Sequence, residues 1–218
     1  RRFLESLKEE DEIEEWIKSL STKASIFRRV IKPEEEPNPI VREALDRHAR
    51  WGAKVLHPVA VRILLSYDAG EMSPQETSDS LRVVESYLVR QLIVGTGRAG
   101  SNVLLADLIK SLGDETPYAA RIIEILTGQR RRFPTDDQVR EAMINQPFYW
   151  RGKEWQKRFI LRSLDESYGR AEVLDYAKSK LSIEHIMPQQ LTNEWRLALE
   201  SDLDEFESAE DAHEYLVH

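Results

Sequence analysis

The residues best suited to chemistry lie late in this chain, in the run Ser182-Ile183-Glu184-His185-Ile186-Met187-Pro188-Gln189-Gln190-Leu191-Thr192. A histidine can take a proton from water near neutral pH, and a carboxylate beside it can hold a hard divalent cation through oxygen. That pair suits metal-assisted hydrolysis of a phosphodiester. Such hydrolysis needs a base for the water, a cation for the developing charge and help for the leaving oxygen. A positioned base contributes roughly 10²–10⁴-fold, so metal and positioning must supply most of the rest. In this reading His185 is the general base, Glu184 is a ligand of Mg²⁺ or Mn²⁺ or supports one, and Pro188 and Gln189 shape the loop. Neighbouring side chains on a regular strand face opposite ways. Glu184 and His185 therefore converge only where a strand ends, and Pro188 provides such an ending. A histidine set between Ile183 and Ile186 also fits a hydrogen-bonded structural role, and the spacing by itself leaves both readings open.

Charge gives a second set of candidates. The chain carries 31 Lys and Arg against 39 Asp and Glu, a net charge of −8, which argues against a protein that coats DNA nonspecifically. The distribution is uneven. Between Arg121 and Arg162 there are ten basic and five acidic residues, whereas from Glu184 onward there is one Arg against ten acids. Arg130, Arg131 and Arg132, with Lys153, Lys157, Arg158 and Arg162 and with Trp150 and Trp155 interleaved, form a candidate face for a phosphate backbone. Contacts from such residues would be salt-dependent and blind to sequence. The competing reading is a solvated helix surface, with the tryptophans serving as packing residues.

The elements that must position these groups read as helices almost throughout. Apolar spacing predicts helices over 3–20, 24–31, 40–51, 57–69, 74–94, 103–112, 117–127, 136–144, 150–168, 192–200 and 208–217. Ser73-Pro74-Gln75-Glu76 has the residues of a helix start, with a cap, a proline at the first position and a glutamate at the third. Thr135-Asp136-Asp137-Gln138 reads the same way. Lys32 to Pro39, with three prolines and three consecutive glutamates, reads as a loop or hinge. A short strand is predicted over 181–186.

The run around His185, followed by Leu191-Thr192 and Glu194-Trp195, resembles the nuclease domain that ends GmrSD-type modification-dependent restriction endonucleases, bacterial anti-phage proteins of the type IV kind. Ile40-Val41-Arg42-Glu43-Ala44-Leu45, Leu88-Val89-Arg90-Gln91 and Arg132-Phe133-Pro134-Thr135-Asp136 resemble the same family's helical middle. The resemblance implies a mainly α fold, a multi-helix domain leading into a ββα-metal finger of the HNH, or His-Me finger, kind. It implies three segments: an N-terminal helical connector over 1–36, a helical middle over 37–170, and the start of the nuclease domain over 171–218. It also implies a metal-dependent DNA endonuclease or nickase acting on modified or foreign DNA, with His185 as base and Glu184 at the metal. A preceding domain would bind and hydrolyse a nucleotide and sense the modification. The family's finger continues with a Gly-Asn-Leu-Thr-Leu type strand and a helix bearing further Asn and a Lys. The chain ends at His218, about where that strand is expected, so the finger is expected to be incomplete here.

Composition bounds the rest. A chain of 218 residues, 41% hydrophobic and 32% charged, can bury a core. No apolar run approaches the roughly 18 residues that would span a bilayer. The start lacks both an initiator Met and the apolar core of a signal peptide, so the chain is expected to begin inside a longer protein. With no cysteine, disulfides and thiolate metal sites are excluded, which fits a cytoplasmic origin. Gly95-Thr96-Gly97 lacks the Lys and spacing of a phosphate loop and reads as a turn, so any nucleotide is expected to act through the preceding domain. His48 and His57 read as core or surface residues. His213 and His218 fall near the candidate finger. Two rivals remain: a helical coupling module with no activity of its own, and a DNA-binding module without cleavage. DNA, the preceding domain and a second copy are the expected partners, with no membrane among them.

Overall fold

A computed structural model describes residues 10–96, 101–128 (backbone only for 101–104), 133–146, 151–169, 187, 188, 190–201, 203 and 206–217. The helices are α1 (Glu10–Ile31), α2 (Pro39–Trp51), α3 (His57–Asp68), α4 (Pro74–Val94), α5 (Ser101–Leu112), α6 (Ala119–Thr127), α7 (Asp136–Asn145), α8 (Glu154–Ser167), α9 (Asn193–Glu200) and α10 (Ala209–Val217). Single 3-10 turns at Pro33–Glu35 and Lys54–Leu56 join the first three. The fold is mainly helical, and no strand occurs among the described residues. The strand expected over 181–186 lies outside them, as does Gly97 of the expected Gly95-Thr96-Gly97 turn, so the ββα finger stays an expectation. No described helix is long and apolar enough to cross a membrane.

α4 is the hub, packing against α2, α3, α6 and α7. Its start is fixed as its residues predict. Ser73 Oγ accepts from Glu76 N at 3.2 Å, Glu76 Oε2 accepts from Ser73 N at 2.7 Å, and Pro74 occupies the first turn. Two of the donors that every helix start leaves open are thereby satisfied. The helix stops at Gly95, whose φ of 75° is costly for a residue with a Cβ. Between these ends it buries polar as well as apolar residues, because neighbours surround it. Thr77 and Ser80 are fully buried beside Leu81, Val84 and Leu88. The Thr77 hydroxyl donates to Ser73 O at 2.9 Å.

Two features differ from the expectation. The helices predicted over 3–20 and 24–31 are one helix where described. The Thr22 hydroxyl donates back to Lys18 O at 3.1 Å instead of capping a new start, so Ser21-Thr22 does not break α1. The Lys32–Pro39 segment is a pinned turn. Glu36 is fully buried and accepts from Arg29 Nη1 at 2.8 Å and from Asn38 N at 3.0 Å. Arg29 also pairs with Asp68 at the end of α3. A buried carboxylate is tolerable only with such partners.

One apolar cluster runs from Ile26 and Val30 of α1, through Leu45, Trp51, Ile63 and Leu64, to Phe159 and Ile160 of α8. α9 and α10 pack on each other, with Ala209 and Ala212 buried outside that cluster.

Candidate functional site

Glu184, His185 and Gln189 lie outside the described residues, and so do Arg130, Arg131, Arg132 and Trp150. What is described is the end of the motif and what holds it. Met187 and Pro188 are half-buried. The carbonyl oxygen of Pro188 lies 2.7 Å from Nε2 of His213, which is on α10. A carbonyl can only accept, so Nε2 of His213 carries the proton that closes this bond. The segment three residues after His185 is thereby tied to a helix that begins more than twenty residues further on.

α9 and α10 form the scaffold behind that contact. Thr192 Oγ1 caps α9 by accepting from Trp195 N at 3.4 Å. Backbone and Thr192 hydrogen bonds hold the Glu194 carboxyl below its ordinary range. Ser208 starts α10, its Oγ accepting from Asp211 N at 3.1 Å and donating to Asp211 Oδ2 at 2.7 Å. An Arg196–Glu210 ion pair bridges the two helices, and the rings of Phe206 and Tyr215 meet at 5.3 Å between centroids.

The described members of the basic face are exposed or half-buried, and they are occupied. Lys153 stacks its ammonium over the Trp155 ring at 4.7 Å, so the half-exposed Trp155 packs against a cation rather than in the core. Its backbone N–H donates to Gln156 Oε1 at 3.0 Å at the start of α8. Arg158 pairs with Glu154 at 3.1 Å, and Arg162 with Glu166 at 2.7 Å. Lys157 is half-buried on the same helix. Pairs this exposed are weak, typically below about 1 kcal/mol, so a phosphate can displace them. The structure brings Lys153, Lys157 and Arg158 together at the start of α8.

Two connections escaped the sequence. Arg90 on α4 reaches the Phe133-Pro134-Thr135-Asp136 segment, donating to Pro134 O at 2.9 Å and to Asp136 Oδ1 at 2.5 Å, with its guanidinium 5.5 Å over the Phe133 ring. That pairing holds Asp136 below the usual carboxylate range. Arg47 on α2 pairs with buried Glu85 on α4 at 2.8 Å and lies 5.2 Å over Phe159 on α8. A lone Arg in an amphipathic helix carries no signal for either partner. Among the described residues no group of three or more His, Asp or Glu side chains could hold a metal. The expected ligand, Glu184, is outside them.

Residues 133–218 match the family model of the GmrSD restriction endonucleases, C-terminal domain. That stretch is similar to the C-terminal domain of the GmrSD restriction endonucleases. It begins at Phe133, the residue under Arg90, and takes in α7 and α8 along with the candidate motif and the α9–α10 pair. No curated protein and no solved structure matches the chain.

Proposed function

We propose that this chain supplies part of the DNA-cutting machinery of a cytoplasmic restriction endonuclease directed at modified or foreign DNA. The observation that carries the reading is the GmrSD C-terminal match, which spans Glu184, His185 and Pro188. His185 takes the proton from the attacking water. Glu184 holds or supports a single Mg²⁺ or Mn²⁺, which when bound stabilises charge on the phosphate and the leaving oxygen. Pro188 and Gln189 shape the loop, and Arg130, Arg131, Arg132, Lys153, Lys157 and Arg158 track the DNA backbone. A preceding domain senses the modification and spends the nucleotide.

A coupling role is favoured beside this one by a specific contact. Arg90 clamps the first residues of the matched stretch to the hub helix, and α8 shares its core with α1 to α4. A displacement of the helical body would therefore reach the start of the nuclease domain.

The test is nicking of supercoiled plasmid by the longer protein with Mg²⁺ or Mn²⁺, wild type against His185→Ala. Loss of a general base is expected to slow nicking roughly 10²–10⁴-fold. Equal nicking by both proteins would sink the catalytic assignment. DNA retained by a protein that never nicks would favour a binding module.

A further inference from the structure

α1 leaves an ordered apolar stripe largely uncovered. Among the described contacts, Phe27 alone in the stripe also meets a ring of α3, that of His57, at 5.6 Å between centroids. Ile13, Ile17, Leu20, Phe27 and Ile31 are 41, 56, 43, 43 and 50% exposed, and Ala24, between them, is exposed too. Their spacing alternates between four and three residues along the whole run, the 3.5-residue repeat that keeps one seam facing a partner helix. The helix docks on its own body through a different face, with Ile26 and Val30 buried.

We propose that this stripe pairs with the same stripe of a second copy, as an antiparallel two-helix coiled coil. The seam is self-complementary about Thr22. In that register Ile13 meets Ile31, Ile17 meets Phe27, and Leu20 meets Ala24 of the other copy, and the two-fold repeats each layer. A contact of this kind closes on itself. Charges beside the seam choose the direction. Antiparallel pairing sets Glu14 near Arg28 of the other copy, twice. Arg28 stays 64% exposed although it pairs with Glu35. Parallel pairing would instead set Lys23 near Arg28 of the other copy, twice, and align the acidic starts Glu10-Asp11-Glu12 with each other. The one like-charged meeting in the antiparallel form is Lys23 with its own copy at the axis. The seam is short, and short isolated helices are marginal. The C-terminal half of α1 is already held against α3 and the Pro33–Glu35 turn, so much of the ordering is done before the copies meet.

The experiment is sedimentation of the full chain over a concentration series reaching about 100 µM, where even weak pairs populate. A dimer is expected, and its loss in Ile17→Glu/Leu20→Glu, with helical circular dichroism unchanged because both positions are exposed. Because the chain has no cysteine, single introduced thiols report direction cleanly. Lys23→Cys is expected to cross-link to itself with a short bis-maleimide, and Glu14→Cys is not, since its two copies lie at opposite ends. Arg28→Glu is expected to weaken the dimer roughly tenfold, and Glu14→Lys added to it to restore most of that loss. A chain that stays monomeric throughout, a dimer that survives Ile17→Glu/Leu20→Glu, or efficient self-linking of Glu14→Cys would each overturn the proposal. A monomer whose stripe becomes protected only in a longer protein would assign the surface to a neighbouring domain instead.

Discussion

His48 is a titratable side chain buried without a partner at Nε2, against the His57 ring 5.6 Å away. Burial first, and then the charge of His57, lowers its pKa from 6.5 to about 4. His57 is lowered as well, by burial and by Lys54. Between these two limits the unfolded chain binds a proton at His48 that the folded chain refuses. The associated stability is therefore complete above about pH 6.5 and is lost as pH falls toward 4. At pH 5 the loss from His48 alone is on the order of 2 kcal/mol. His48→Leu is expected to remove most of that slope while changing stability little at pH 7, since an apolar group needs no partner there. Urea midpoints of both proteins at pH 7 and pH 5 check this. A variant that loses as much stability as wild type between the two would show that the slope originates elsewhere. The sequence placed His48 in a core or at a surface without choosing. Its fate depends on His57 arriving from α3, and spacing along α2 does not encode that.

Helix ends were readable because their causes are local. Ser73, Pro74 and Glu76 start α4, and Thr135 and Gln138 start α7, each within four residues of the others. The candidate motif was readable for the same reason, as six consecutive residues. Its support was not, because His213 binds a backbone carbonyl, and a carbonyl leaves no mark on residue type. The α9–α10 pair makes a specific prediction for the longer protein. His213→Ala frees the Pro188 carbonyl and loosens the segment after His185. Nicking is expected to slow by between several-fold and about 100-fold, the range from one lost hydrogen bond to a displaced catalytic group. The effect should fall on kcat and leave KM for plasmid nearly unchanged, and His213→Gln, which keeps a donor, should recover part of the rate. Melting curves of the variants are expected to stay close to wild type, as His213 lies outside the main core. A loss in KM alone, or no rescue by Gln, would mean that His213 does not position the loop.

The long-range ties decide how α8 joins the body. Arg47 draws three helices together. From α2 it binds Glu85 of α4 at 2.8 Å, Ser163 of α8 at 3.4 Å and Glu166 of α8 at 3.5 Å. Burial works to raise the Glu166 pKa, but Arg162 and Arg50 outweigh it and hold the carboxyl below its usual range. Glu85 and Arg47 keep only 9 and 18% of their side-chain surface exposed, so neither is well solvated without the other. The sequence showed amphipathic helices and a basic stretch, yet not that Arg47 would be sunk among them, because such pairing is set by how helices cross. Glu85→Ala leaves the largely buried Arg47 guanidinium to Ser163 and the more distant Glu166, and is expected to cost about 2 kcal/mol, the range of a lost hydrogen bond between charged groups. Arg47→Met/Glu85→Leu removes both charges and is expected to recover most of it, because well-packed apolar replacements escape the desolvation cost. Chemical denaturation of the wild type, both single variants and the double variant measures this directly. A double variant as unstable as Glu85→Ala would mean that the pair's charge is not what joins α8 to the body. A double variant near wild type but poorly active in the longer protein would mean that the ion pair sets the orientation of α8 rather than its stability.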